Sequence, residues 1–201
     1  SMSYDLRWNK LNADTYRFAF PTRLTHSAAV ATALDLGPLR LQGSLAAMFV
    51  SDRVRRGKSA HLHEFMPAFF LNYYPFASRA FSVHAFAKRS FRMPTFNDLY
   101  YAEMGNARLR PESTNQYDVG INLEDTPDGR GWLRAYGLRM DAYYNTVADK
   151  IIAYPKGQQF RWTMLNLGRV HIWGADVLLS TTLQLAPAWS ATLRAQYTWQ
   201  Q

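Results

Sequence analysis

The chain has 201 residues, of which 48% are hydrophobic, 15% aromatic and only 19% charged. Few charges and many aromatics exclude a disordered chain, and the absence of cysteine excludes a disulfide framework, a thiolate metal site and a cysteine nucleophile. The net charge of +8 suits nucleic acid, anionic lipid or acidic ligands, but the densest basic group, Arg53, Arg55, Arg56 and Lys58, lies in a Gly/Ser-containing loop and reads as solvated.

Taken in chain order, the opening SMSYDLRWNK lacks the apolar core of a signal peptide and is assigned no element. Alternation with period two then recurs, and helical periodicity hardly appears. Eight strands are expected, at 22–35, 38–50, 64–74, 79–90, 113–124, 132–146, 166–185 and 188–200. Between 80 and 88, Phe81, Val83, Ala85 and Ala87 oppose Ser82, His84 and Lys88. Tyr117, Val119, Ile121 and Leu123 alternate with Gln116, Asp118, Gly120 and Asn122. Tyr136, Leu138, Met140, Ala142 and Tyr144 alternate with Gly137, Arg139, Asp141, Tyr143 and Asn145. In the last strand Trp189, Ala191, Leu193, Ala195, Tyr197 and Trp199 share one face. Several of these strands exceed the ~5–6 residues usual in globular sheets. They suit the ~9–11 tilted residues of a membrane-spanning strand, whereas no apolar run approaches the ~20 residues of a membrane helix.

The connections near 35–38, 73–78, 125–131 and 185–188 are short, and those at 51–63, 91–112 and 147–165 are long. Alternation alone leaves two architectures open. In a soluble sandwich the charged face, with Lys88, Asp118, Arg139, Asp141, Asp176 and Arg194, meets water. In a transmembrane barrel it lines a wet lumen. Strand length and the strict alternation of short and long connections favour the barrel, which has short turns at one end and long loops at the other. The expected fold is therefore all-β, an antiparallel up-and-down meander of about eight long strands within a large transmembrane β-barrel.

The stretch RSFRMPTFNDLYYAEMGNARLRPE, 89–112, carries more specific information. Phe91-Arg92-Met93-Pro94-Thr95 and Gly105-Asn106-Ala107-Arg108-Leu109-Arg110-Pro111-Glu112 resemble two paired boxes of the TonB-dependent outer-membrane receptor family. Met93 and Ala107 depart from the family's usual Ala and Pro. Tyr117-Asp118-Val119-Gly120 resembles the strand that follows, and Asn166-Leu167-Gly168 with Gly174-Ala175-Asp176 resembles a later segment. The resemblance implies a barrel of about 22 strands with a plug. Residues 1–201 are then expected to be a partial barrel domain, with plug and flanking strands absent.

It also implies a receptor in the bacterial outer membrane that imports a scarce nutrient such as a ferric siderophore, haem or cobalamin. The implied partners are that metal chelate or other small nutrient, TonB acting through the absent plug, and outer-membrane lipid, but no nucleic acid. The expected ligand-contacting residues are Tyr100, Tyr101, Asn106 and Arg108, with Tyr154 and Trp162 from the neighbouring connection. Aromatics and a charge on exposed loops suit capture of a bulky anionic chelate. No catalytic constellation is present, so no enzyme activity and no cofactor are expected. His61-Leu62-His63 is too little for a metal site, and Asp118, Asp141 and Asp176 are expected to pair with lumen cations. A passive porin-like barrel and a soluble β-rich binding module are the alternatives.

Overall fold

The computed structural model describes residues 1–201 except 15–17, 56–59, 102–103, 128–130 and 158–160. Arg56 and Lys58 of the basic group lie outside the described residues. Among the described residues nine strands form one antiparallel sheet in strict chain order. They are β1 (Met2–Lys10), β2 (Thr22–Leu36), β3 (Leu39–Arg53), β4 (Ala60–Tyr73), β5 (Phe81–Arg92), β6 (Glu112–Asp125), β7 (Leu133–Lys156), β8 (Arg161–Ala186) and β9 (Trp189–Gln200). A helix, α1 (Phe96–Tyr100), lies between β5 and β6.

Two expectations are corrected. The opening segment is a strand: Trp8 pairs with Leu24 and Met2 with Val30, so β1 rather than β2 is the first edge of the sheet. Met2, Tyr4, Leu6 and Trp8 alternate with Ser3, Asp5, Arg7 and Asn9, and the charges fall where a wet face tolerates them. The second correction concerns 147–165, which is not a long loop. Strands β7 and β8 continue to 24 and 26 residues, and their ladder runs on to Lys156 opposite Arg161. The hairpin turns at Gly157, whose φ of +69° suits a residue without a Cβ.

The register carries the alternation across the whole sheet. Phe69, Ala87, Tyr117, Tyr144 and Trp173 are linked in succession by cross-strand pairing, and so are Tyr73, Val83, Ile121, Met140, Val177 and Tyr197. This apolar face is uncovered. Leu45, Phe65, Phe69, Val119, Leu179 and Leu193 are each about half exposed or more, whereas a soluble monomer rarely exposes a contiguous apolar patch of more than a few hundred Å². The opposite face carries Arg23, Asp52, His84, Asp118, Arg139, Asp141 and Arg194.

A dry core is nearly absent from the sheet itself. Among the described residues the buried apolar side chains are Val50, Leu99, Leu109, Val147 and Ile151, with Pro21 and Pro94, all at the end where α1 lies. The ladder between β4 and β5 stops at Ala68 opposite Lys88, next to Pro67, which has no N–H to offer. Beyond that point an ion pair from Arg89 to Glu64, at 2.9 Å, spans the gap.

Candidate functional site

The segment after β5 leaves the sheet at Pro94, whose side chain is fully buried. Its carbonyl accepts from Arg23 Nη1 at 2.8 Å. The same guanidinium grips Asp52 through two bonds of 2.7 and 2.6 Å and lies 5.0 Å from the centre of the Phe96 ring. With side chains 12% and 7% exposed, Arg23 and Asp52 form a desolvated pair in which every strong partner is present. This latch ties the segment to the ends of β2 and β3.

The helix that follows is short and depends on its cap. Thr95 accepts from the Asp98 N–H at 3.1 Å, and Asp98 Oδ2 accepts from the Thr95 N–H at 2.8 Å. This reciprocal box satisfies two donors that a helix start leaves orphaned. Leu99 on α1 then packs with Leu109 and Ile151, flanked by Tyr100 and Met164. Gly105 lets the chain turn back, since a Cβ there would lie 2.6 Å from the Tyr101 nitrogen.

A second set of bonds ties the segment to the β7–β8 hairpin. Asn106 donates to the Met164 carbonyl at 2.9 Å, and the Met164 N–H donates to the Met104 carbonyl at 2.9 Å. Asn166 accepts from the Arg110 N–H at 2.9 Å and donates to the carbonyls of Arg110 and Asp149, at 3.0 and 2.7 Å. Glu112 accepts from the Ile151 N–H at 3.1 Å. The two boxes thus form a bar held at both ends, by Arg23–Asp52 on one side and Asn166 on the other.

Within this bar the six expected contact residues differ. Tyr101 is 60% exposed and Arg108 is exposed. Tyr100 is half-buried against the apolar cluster; burial pushes its phenol above the ordinary value, with the Asp52 carboxylate adding to the shift and Arg23 opposing it. Asn106 spends its side chain on the bar, donating to Met164 and accepting from the Arg108 N–H at 3.0 Å. Trp162 and Tyr154 are exposed, but alternation separates them. Trp162 follows the parity of Met164 and shares the face that meets the bar, whereas Tyr154 pairs with Thr163 on the other. Arg23 and Asp52 were not among the expected residues. Their only sequence signal is an opposite charge at each end of neighbouring strands.

Deeper on the polar face, His84 Nε2 lies 2.7 Å from Asp141 and 3.8 Å from Asp118. Arg139 donates to both oxygens of Asp141, at 2.8 and 3.2 Å. Gly120 makes room for the imidazole, because a Cβ there would lie 2.6 Å from two ring atoms. The ligand atoms of His84, Asp118 and Asp141 lie within 4.8 Å of one another, a spacing open to a metal ion. The guanidinium of Arg139 already compensates Asp141, however, so the arrangement works as an ion-pair network. It flanks a cleft of 410 Å³ lined by Asn72, Ser82, Asn122, Leu178 and Ser180 among others. His61 bonds to Ser51 at 2.8 Å, and His63 packs edge-on against Phe65.

The fold has counterparts among known proteins. The family model described as TonB dependent receptor-like, beta-barrel, matches residues 3–201. A vitamin B12 transporter, BtuB, of Vibrio vulnificus (strain YJ016) is 34% identical over 87 residues, 43% of this chain and 13% of that protein. The FrpB iron transporter from Neisseria meningitidis (F3-3 variant) superposes with a TM-score of 0.65 at 16% identity, over 92% of this chain and 27% of that one. The copper transporter OprC gives a TM-score of 0.67 at 17% identity, over 90% of this chain and 29% of that one. At such identities the structural likeness shows the fold alone. The chain spans under a third of the length of either solved structure.

Proposed function

The chain belongs to the TonB-dependent receptor β-barrel family of the outer membrane, and we propose on that premise that it is a segment of barrel wall and mouth from a receptor that imports a bulky metal chelate. The remaining strands and the plug of residues beyond 1–201, through which TonB acts, complete the receptor in this reading. It has no enzyme activity of its own. The apolar face meets lipid and the polar face lines the lumen.

The observation that carries the reading is the bar formed by 93–101 and 104–111, fixed at both ends and leaving Tyr101 and Arg108 exposed. A recognition surface on a rigid support loses less ordering entropy on binding than one on free loops. Tyr101, Arg108 and Trp162 are the direct contacts, with Tyr100 and Asn106 holding the bar and Tyr154 reaching the ligand from the far side of the hairpin. Cobalamin is the first chelate to test, because the curated relative that matches at 34% identity is a vitamin B12 transporter. A ferric siderophore is the second and haem the third.

The test uses the full receptor in detergent, with intrinsic tryptophan quenching by cyanocobalamin, a ferric siderophore and haemin. Saturable binding of one of them, weakened when Tyr100, Tyr101, Asn106, Arg108, Tyr154 and Trp162 are changed together to Ala, supports the assignment. Unchanged affinity in that variant overturns the site, and binding of none overturns the chelate class.

A further inference from the structure

The outward, apolar face changes character at the end nearest the bar. Tyr117, Tyr144 and His171 stack there, at centroid distances of 6.4 and 6.0 Å with interplanar angles of 22° and 25°. Aromatic rows of this kind sit at the level of lipid headgroups. Immediately beyond the row lies an open hollow of 450 Å³ lined by Arg89, Ser113, Asn115, Thr146, Arg169 and His171 together with Tyr144 and Ala148.

The register places this hollow on the outside of the wall. Arg89, Asn115, Thr146 and His171 form one cross-strand row, and Ser113, Ala148 and Arg169 form the next. These residues share the parity of Tyr117 and Tyr144, not that of Asp118 and Asp141. Lys150, opposite Leu167, continues the same face one step further. A nutrient entering the lumen does not pass this surface.

Its charge is one-sided. Arg89 is partnered by Glu64, and His171 Nδ1 lies 2.7 Å from the Tyr144 hydroxyl. Among the described residues neither Arg169 nor Lys150 makes an ion pair. Cations with Ser, Thr and Asn donors around a hollow present what a phosphate monoester requires: positive charge and several hydrogen-bond donors. We propose that this hollow binds the phosphate of an outer-leaflet lipid headgroup, seated on the Tyr117–Tyr144–His171 row. The proposal rests on the outward assignment of the apolar face, but not on which nutrient is carried.

The experiment is native mass spectrometry of the full receptor in neutral detergent, titrated with lipid A carrying its phosphates and with the same lipid dephosphorylated. The phosphorylated lipid should remain bound and the dephosphorylated form should be lost. The double variant Arg169→Gln, Lys150→Gln should reduce retention on the order of tenfold, while Arg40→Gln, at the opposite end of the wall, leaves it unchanged. Chelate affinity, measured in parallel, should not move in the double variant, which separates this idea from the nutrient site. Equal retention of both lipids, or no change in the double variant, overturns the proposal. Competition by inorganic phosphate as strong as that by the phosphorylated lipid shows a free-anion site and overturns the lipid assignment.

Discussion

The wall and the mouth of this molecule are held together by different forces. The wall is a ladder of backbone bonds with almost no dry interior among the described residues: one face is polar, and the other is apolar and uncovered. The mouth is built like a small soluble protein. It has a buried apolar cluster of Leu99, Leu109 and Ile151, a desolvated ion pair, a capped helix and side-chain clamps. Alternation suffices for a wall because its solvent differs on the two sides. A segment that leaves the sheet has lost that asymmetry, and specific tertiary contacts must replace it.

The largest expected effect tests whether the mouth depends on its latch. Asp52→Ala leaves the Arg23 guanidinium buried without its carboxylate, a change that costs about 3–5 kcal/mol. Hydrogen exchange in the intact receptor should show protection lost across 94–109 while the β6–β8 ladder keeps its own. The double variant Arg23→Met, Asp52→Leu should recover much of the loss, because no lone charge remains. Collapse of the whole ladder in Asp52→Ala would break the division drawn here.

The wall answers to a different change. Leu138 sits on the lipid face between Leu123 and Leu179, so Leu138→Arg should cost roughly 2–4 kcal/mol near the bilayer midplane. Asn122→Arg, on the lumen face of the adjoining strand, should be tolerated. Equilibrium urea unfolding in lipid vesicles compares the two, and equal costs would mean that both faces are buried alike.

This division also explains what could be read from the sequence. The faces of β5, β6, β7 and β9 were legible because alternation is local, and each strand declares its own in-and-out pattern. Strand β1 carries the same pattern in Met2, Tyr4, Leu6 and Trp8, but four apolar positions interleaved with Asp5, Arg7 and Asn9 are too short a run to stand out. The upper β7–β8 hairpin was illegible for a better reason. Past Val147 neither parity of β7 is consistently apolar, and Pro155 and Gly157 look like loop residues. The boxes were recognisable, yet the partner of Pro94 is Arg23, 71 positions earlier in the chain. No local pattern reports a contact at that separation.

A smaller effect should come from the hairpin clamp. Asn166→Ala removes the partner of the Arg110 N–H and of two carbonyls, at a cost of about 1–3 kcal/mol. Faster exchange confined to 104–112 and the facing part of β8 would mark it as a mouth contact. Loss of receptor insertion would instead assign Asn166 to the wall.

The smallest change is the sharpest probe of the comparison, because it touches a single turn. Thr95→Ala removes the side chain that caps α1 and leaves the Asp98 N–H without its acceptor. A lost cap of this kind costs about 1 kcal/mol, too little to disturb a ladder of nine strands. Within the mouth it should be visible. A helix of five residues has almost no intrinsic stability, so Leu99 would be held in the apolar cluster by packing alone. The expected result is faster exchange of the Leu99 and Tyr101 amides, with Pro94 still latched to Arg23 and the unfolding midpoint of the wall unchanged. Thr95→Ser keeps the acceptor oxygen and should restore the slow exchange. If Thr95→Ala left those amides as slow as before, the bar would owe its order to its two clamps, and the capping box would be incidental to it.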